Sequence, residues 1–359
     1  MNTFLKRGAG DCKWDIVGLG VLVQRMSSGV VPTHCAYDWK ASLSGAEYNP
    51  VNAIAQWGGR AAYCTASVRY PRGEWLEAEV RKGGVAGIYR HFDHDPVKGP
   101  SIGTVWTDTG WGVRGPSTFY DRTNEAASLL APGDFDLDAV FGSAAWAHFG
   151  GLFCSLGRQT AQLTLDAVLS AKKAGTMTSL DLNWREMLWA ALADRAAHVA
   201  TMRQIVGELD VAIGNEEDWY QTFGIPGPNV AGGEQLDPKE YEGVLRRVQS
   251  EFPNLRVIAT TLRRVVDANR HVWQAVMLCD GKFYASPRKE IGVLDRVGGG
   301  DGCNAGLIYA LMQGLDPQQA LNCGWAHGAL VVTYPTDTTM ASWDQVLAVA
   351  VGKGARIIR

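Results

Sequence analysis

From residue 146 to residue 351, short apolar runs alternate with longer stretches of helical periodicity. Residues 146–149, 178–182, 211–213 and 257–261 read as strands. Residues 159–174, 188–206, 216–223 and 241–251 read as helices. Residues 272–279 and 282–285 read as a hairpin around Asp280-Gly281, and three helices, 300–313, 317–332 and 342–351, close the run. Alternation sustained over roughly 200 residues predicts a mostly parallel sheet, because each parallel crossover must return over the sheet and a helix is the compact way back. The helices then cover both faces, which gives a doubly wound α/β fold.

Upstream, residues 15–23 read as a buried first strand and 49–57 as a short apolar helix closed by Gly58-Gly59. A strand follows at 62–68, then a charged helix at 74–82. Residues 91–122 are different. They are rich in Gly, Pro, Thr, Trp and Tyr, with short alternating pieces at 104–107 and 118–120, which predicts short antiparallel strands rather than further strand–helix units. No internal repeat interrupts the pattern, so residues 1–359 are expected to form one α/β domain with a small inserted sheet.

Composition narrows the function. A net charge of −3 argues against a protein that binds nucleic acid by neutralising phosphates. No apolar run approaches the ~20 residues of a membrane span, and Lys6 and Arg7 have no apolar segment behind them, so no secretory signal is expected. The seven cysteines are scattered without a CxxC pair, which disfavours a zinc site or disulfide framework and makes a reducing cytoplasm the default. The 42 glycines are in excess of ordinary usage, and a glycine-rich α/β chain often cradles phosphate with bare backbone.

One segment concentrates that chemistry: Asp295-Arg-Val-Gly-Gly-Gly-Asp-Gly-Cys-Asn-Ala-Gly306, between an extended piece and an apolar helix. Gly298, Gly299 and Gly300 allow backbone N–H groups to face an anion at a helix N-terminus. Asp301 follows at once, and a carboxylate beside an anion site suits phosphoryl transfer, as the base for an attacking hydroxyl. The same residues also suit a glycine linker with Asp301 as a plain helix cap. Neither a dinucleotide fingerprint nor a Walker loop is present.

This segment resembles the D-x-x-G-A-G-D-x-F-x-x-G signature of the PfkB, or ribokinase-like, sugar kinases. Ser44-Gly-Ala-Glu-Tyr-Asn49 resembles the early sugar motif of that family, and Asn215-Glu-Glu-Asp218 its Asn-x-x-Glu motif. Asp181-Leu-Asn-Trp-Arg-Glu-Met-Leu-Trp189, Phe119-Tyr-Asp-Arg122 with Glu125-Ala126, Thr260-Thr-Leu-Arg263, and His327-Gly-Ala-Leu330 followed by Thr336-Asp-Thr338 are similar to members acting on 2-keto-3-deoxygluconate. The resemblance implies an ATP- and Mg²⁺-dependent kinase for the primary hydroxyl of that sugar acid. Another sugar, such as fructose or 2-keto-3-deoxygalactonate, and a non-catalytic binding homologue are the rival readings.

The resemblance also implies roles. Asp301 would be the base and Gly298–Gly300 the anion hole. Asn215 and Asp218 would help hold Mg²⁺ through water together with the ATP phosphates, and Thr261 would lie near the nucleotide. Gly45, Asn49, Tyr120 and Arg122 would contact the sugar, partly from a β lid of residues 33–44 and 102–120, through which two copies would pair. Asp181, Asn183 and Arg185, two apart, would point one way from an extended stretch, with Arg185 receiving the substrate carboxylate. An Arg185–Asp181 ion pair is the structural alternative. The chain departs from the family pattern at Gly20-Val21, where an acid is usual, at Asp218 for Glu, and at Gly302-Cys303-Asn304.

Four other features read as decoys. Gly99-Pro-Ser-Ile-Gly103 has the G-x-S-x-G spacing without the strand–turn–helix setting that a nucleophile elbow needs. His91, Asp93, His94 and Asp95 read as a solvated turn. His148 and Cys303 read as core residues, and Trp106 or Trp111 as candidates to stack on a sugar.

Overall fold

The computed structural model describes residues 4–228 and 237–353. In chain order its strands are β1 (Trp14–Leu19), β2 (Val23–Ser27), β3 (Lys40–Ser44), β4 (Ala61–Arg69), β5 (Val85–Asp93), β6 (Thr104–Thr107), β7 (Thr118–Asp121), β8 (Ala144–Gly150), β9 (Met177–Asp181), β10 (Val211–Ile213), β11 (Val257–Asp267), β12 (Arg270–Cys279), β13 (Lys282–Ala285) and β14 (Lys289–Gly292). Ten of them make one sheet in the order β13-β12-β11-β10-β9-β8-β1-β4-β5, with β14 also on β12. From β5 to β11 every pairing is parallel, and β12, β13 and β14 add antiparallel partners at one end.

Helices on both faces explain the composition of the central strands. All seven residues of β8 are buried, as a strand covered on both sides requires. Trp146, Trp219 and Trp325 are fully buried in the core. Helix Gly299–Met312 is apolar on nearly every side because helix Pro317–Val331 and helix Tyr48–Gln56 pack against it. The hairpin turns at Asp280 and Gly281, both in the left-handed region (φ 45° and 78°), as a tight two-residue loop demands.

The chain order places β1 in the interior of the sheet. Successive strands then run outward through β4 and β5 on one side and through β8 to β11 on the other. The winding therefore reverses between β1 and β8, where the carboxyl ends of the strands open a crevice.

Several sequence expectations need correction. The first strand stops at Leu19 instead of running to Val23. At that point Gly20 packs directly on the buried Glu47 carboxylate, and Val21 N–H donates to Glu47 Oε2 (3.4 Å), which turns the chain away. Val23–Ser27 belongs to a second, four-stranded sheet, ordered β3-β2-β6-β7. That sheet therefore starts at Val23, and Thr33–Cys35 is a 3₁₀ turn. Its β2–β6 pairing is parallel, not antiparallel. Residues 91–93 end β5, a parallel edge strand. The expected helix 188–206 is two helices, Glu186–Ala190 and Arg195–Glu208, because Asp194 caps the second by accepting Ala197 N–H (2.9 Å).

Candidate active site

A cavity of about 620 Å³ lies at this crevice, between the carboxyl ends of β9, β10 and β11 and the small sheet. Gly298, Gly299, Gly300 and Asp301 form one wall. Gly298 has φ +84°, which only glycine adopts without strain, and a Cβ there would lie 2.7 Å from Asp337 Cβ. A Cβ on Gly299 would strike Val332. A Cβ on Gly300 would meet no protein atom within 4 Å and would project into open space. The first-turn N–H groups of this helix have no acceptor within it, so they and the positive end of the macrodipole face the cavity. The space over Gly300 is open, with the helix N-terminus beside it.

Asp301 lines the same cavity. Asn49 Nδ2 donates to its Oδ2 at 2.7 Å. Burial is the main cause that pushes Asp301 well above the usual carboxylate range. The Asn49 hydrogen bond opposes it, Asp181 and Asp337 add to it, and Arg185 opposes it. An upward shift is the direction that general-base work at neutral pH calls for.

The opposite wall comes from the loop after β9. Asn183 has φ +40°, so the stretch is not extended and the simple alternation of residues 181, 183 and 185 does not hold. All three nevertheless line the cavity, because the left-handed turn at Asn183 folds the chain back. Asp181 is held by Asn304 Nδ2 (2.7 Å) and by the Asn183 N–H (3.2 Å). Arg185 makes one bond, to the Trp184 carbonyl (2.8 Å), and has no ion-pair partner among the described residues. The Arg185–Asp181 pair is therefore not formed.

Asn215 and Asp218 cap the helix Glu216–Phe223 reciprocally. Asp218 N–H donates to Asn215 Oδ1 (2.9 Å) and Asn215 N–H to Asp218 Oδ2 (2.8 Å). Asp218 Oδ1 accepts Trp184 N–H (3.0 Å). Both carboxylate oxygens of Asp218 thus serve backbone groups, and burial raises its pKa to about 7. Asp218 also lines the cavity, and it ties the Asn215 turn to the Trp184 loop. Thr261 lines the cavity near Asn215.

On the small-sheet side, Tyr120 and Arg122 line the cavity. Arg122 Nη1 contacts both oxygens of the buried Glu125 (2.8 and 2.7 Å), and the guanidinium lies over the Tyr120 ring. Gly45 also lines the cavity, where a Cβ would lie 2.5 Å from the Val21 carbonyl. Asn49 does not line it. Asn49 is buried and gives its amide to Asp301 and Asp337, so it stands behind Asp301 and not on the cavity wall where a sugar contact was expected.

Sequence reasoning missed several residues. Arg25, Asp337, Arg263 and Arg296 all line the cavity. Arg263 and Arg296 have no ion-pair partner among the described residues. Burial is the main cause lowering both, with mutual repulsion adding to it at Arg263, whose pKa falls to about 10. A charged residue at 263 was visible in the Thr260-Thr-Leu-Arg263 motif, and Asp337 in Thr336-Asp-Thr338. Arg25 gave no local signal, since its partners are 270 and 312 positions away.

The elbow spacing, His148 and Cys303 fall where expected, whereas residues 91–93 lie on β5 instead of in a turn and the two tryptophans lie off the cavity. Ser101 sits in a bridge beside Glu125 with no elbow. His91, Asp93 and His94 face Glu77, Arg69 and the Pro100 carbonyl separately, and no group of three metal-ligating side chains occurs among the described residues. His148 is buried against Ser179 and pushed down to about 3 by desolvation. Burial likewise lifts the Cys303 thiol to about 12, which makes it an inert core group. Trp106 packs edge-on against Trp39, and neither it nor Trp111 lines the cavity.

A carboxylate beside a helix N-terminus, in a cavity at the switch point of a parallel sheet, marks an α/β protein with its ligand site at the strand ends. The family is more specific: residues 30–344 match the pfkB family carbohydrate kinase model, and the chain belongs to that family. It is 26% identical over 318 residues to the 2-dehydro-3-deoxygalactonokinase of Haloferax volcanii, covering 88% of this chain and 90% of that one. It is 25% identical to the 2-dehydro-3-deoxygluconokinase of Bacillus subtilis, covering 85% of each. The crystal structure of 2-dehydro-3-deoxygluconokinase from Thermotoga maritima superposes with a TM-score of 0.84 at 28% identity, over 94% of this chain and 98% of that one.

Proposed function

We propose that the protein is an ATP-dependent kinase that phosphorylates the primary hydroxyl of 2-keto-3-deoxygluconate (2-dehydro-3-deoxygluconate). The observation that carries this reading is Arg185: a guanidinium without an ion-pair partner among the described residues, lining the same cavity as Asp301. A planar fork suits a carboxylate bidentately, and a 2-keto sugar acid offers one where an aldose does not.

Asp301 takes the proton of the attacking hydroxyl, whose oxygen then bonds the γ-phosphorus as the bond to the ADP oxygen breaks. Backbone N–H groups of the Gly298–Gly300 turn stabilise the charge on the transferring group. Arg263 and Arg296 line the nucleotide side with Asn215 and Thr261, and offer positive charge to the phosphates. Glu216 and Glu217 line the cavity beside Asn215 and would hold Mg²⁺ through water, in keeping with its preference for few carboxylates and many waters. Bound there, Mg²⁺ neutralises charge on the phosphate oxygens.

The small sheet is read as a lid, since Val23, Arg25, Ser44, Val105, Thr107, Thr118 and Tyr120 line the cavity from it. Its seating excludes water that would compete as acceptor. Val30, Val31, Tyr37, Trp111, Val113 and Phe119 are exposed on and around it, which supports pairing of two copies through the lid. All seven cysteines are free thiols, which suits a reducing cytoplasm.

A second reading, phosphorylation of 2-keto-3-deoxygalactonate, is favoured by the similarity to the Haloferax kinase. Both substrates carry the carboxylate, so Arg185 does not choose between the two epimers. ADP release measured against a panel of sugars and sugar acids decides. Arg185→Ala should raise the KM for the sugar acid by ~30-fold or more, the loss of a charge-assisted pair, with KM for ATP little changed. If both KM values moved together, the carboxylate assignment would fail.

A further inference from the structure

We infer that Asp337 is a positioning residue for Asp301, coupling the seating of the small sheet to the geometry of the base through Arg25 and Asn49. The contacts form one continuous chain. Arg25, on β2, is 1% exposed. Its Nη1 contacts Asp337 Oδ1 (3.4 Å), its Nη2 contacts Asp295 Oδ2 (2.5 Å), and its Nε donates to Thr107 Oγ1 (3.2 Å) on β6. Ser44, at the end of β3, donates to Asp337 Oδ2 (2.5 Å). Two strands of the small sheet therefore reach one carboxylate of the main body.

The second half of the chain runs from Asp337 to the base. Asn49 Nδ2 donates to Asp337 Oδ2 (3.0 Å) and to Asp301 Oδ2 (2.7 Å). One amide, with one hydrogen for each, thus bridges two carboxylates and fixes one oxygen of Asp301. Asp337 also backs the anion turn, since its Cβ and carbonyl fill the space beside Gly298. If the small sheet lifted, Asp337 would lose Arg25 and Ser44 together. It would then be free to draw Asn49 away from Asp301, so the base would be set only when the sheet is seated.

Charge gives this arrangement a signature that a merely structural role lacks. The groups facing Asp301 are Asp181 from β9, Arg185 from the following loop, Asn49, Asp337, and Tyr63 from β4, with Arg25 and Asp295 behind Asp337. Asp337 raises the proton affinity of Asp301 by like charge, and Asn49 lowers it by donating to the ionised form. Removing each should move Asp301 in opposite directions.

The test is a pH titration of the carboxyl carbons by NMR in aspartate-labelled protein, with Asp301 assigned by the signal lost in Asp301→Asn. Asp337→Asn should lower the Asp301 midpoint, and Asn49→Leu should raise it, each by about half a pH unit or more. Unmoved midpoints, or movement in one common direction, would overturn the inference. Should Asp337→Asn fail to fold, Ser44→Ala decides: removing a donor to Asp337 Oδ2 should move the Asp301 midpoint, and an unmoved midpoint overturns the inference. The inference rests on Asp301 being the base of the proposed kinase, but the titration needs no substrate. A wild-type protein silent toward the sugar acid would therefore count against the function and not against the coupling. In an active enzyme, both variants should lose kcat by ~10-fold or more, with KM for ATP within twofold. A fall in thermal stability with unchanged kcat would also overturn it.

Discussion

Replacing Arg25 with methionine isolates a buried charge cluster beside the cavity. Arg25, Asp295 and Asp337 are each at most 2% exposed at the side chain. Burial works against the Arg25 charge, and Asp337 and Asp295 outweigh it. Arg25→Met keeps the volume of the stem but leaves two buried carboxylates without their cation. Breaking a buried pair from one side costs about 3–5 kcal/mol. At about 2.1 cal/mol/K of unfolding entropy per residue, a chain of this length loses about 1 °C in Tm for each ~0.75 kcal/mol, so the expected fall is about 4–7 °C. Scanning calorimetry at neutral pH measures it, in low salt and in about 1 M salt. A buried cluster is screened little, so the loss should persist at high salt. The triple variant Arg25→Met, Asp295→Asn, Asp337→Asn should recover much of it, because the desolvation penalty leaves with the charges. A fall below about 1 °C, or one that vanishes in salt, would refute the burial argument.

Three further outcomes are expected. Asp301→Asn should reduce turnover by ~10²–10⁴-fold, as loss of a general base does. Because the folded-state pKa of Asp301 is raised, its ionised form opposes folding at high pH, and that opposition fades as pH falls through the raised pKa toward the unfolded value. The variant should therefore melt above wild type at about pH 8, and its advantage should shrink by about pH 5. Gly300→Ala should fold with unchanged or higher Tm, since its methyl meets open space and alanine favours the helix by up to ~1 kcal/mol, yet lose turnover by filling the proposed anion cradle; Gly298→Ala should lose Tm through its left-handed φ and the clash with Asp337. A Gly300→Ala enzyme with full kcat would rule out the anion cradle. Arg263→Ala and Arg296→Ala should each raise KM for ATP by ~10-fold with little change for the sugar acid, and equal effects on both substrates would remove these cations from the nucleotide side.

Legibility in the sequence followed the range of the interactions. The pattern of strands and helices from residue 146 onward was readable because periodicity and caps are local. Ser342, Asp316 and Asn215 each stand one residue before a helix whose first turn they bind. The break at Asp194 was local too, but an apolar periodicity running across it concealed the cap. The glycine turn and Asp301 were readable for the same reason, as adjacent residues whose backbone and side chain act together.

What the tertiary structure decided is the company these residues keep. Nothing in Val-Gln-Arg-Met-Ser shows that Arg25 leaves the apparent first strand for a second sheet and meets Asp295 and Asp337. Asn49, expected on the sugar side, stands behind Asp301 because Asp337 arrives there from the far end of the chain. Asp218 matches its motif in sequence, but spends both oxygens on backbone groups. Local sequence therefore determined most of the elements, the glycine turn and the acid beside it. Which charges face one another, and hence how strongly Asp301 holds a proton, was set by contacts across some 250–310 positions, which no local pattern encodes.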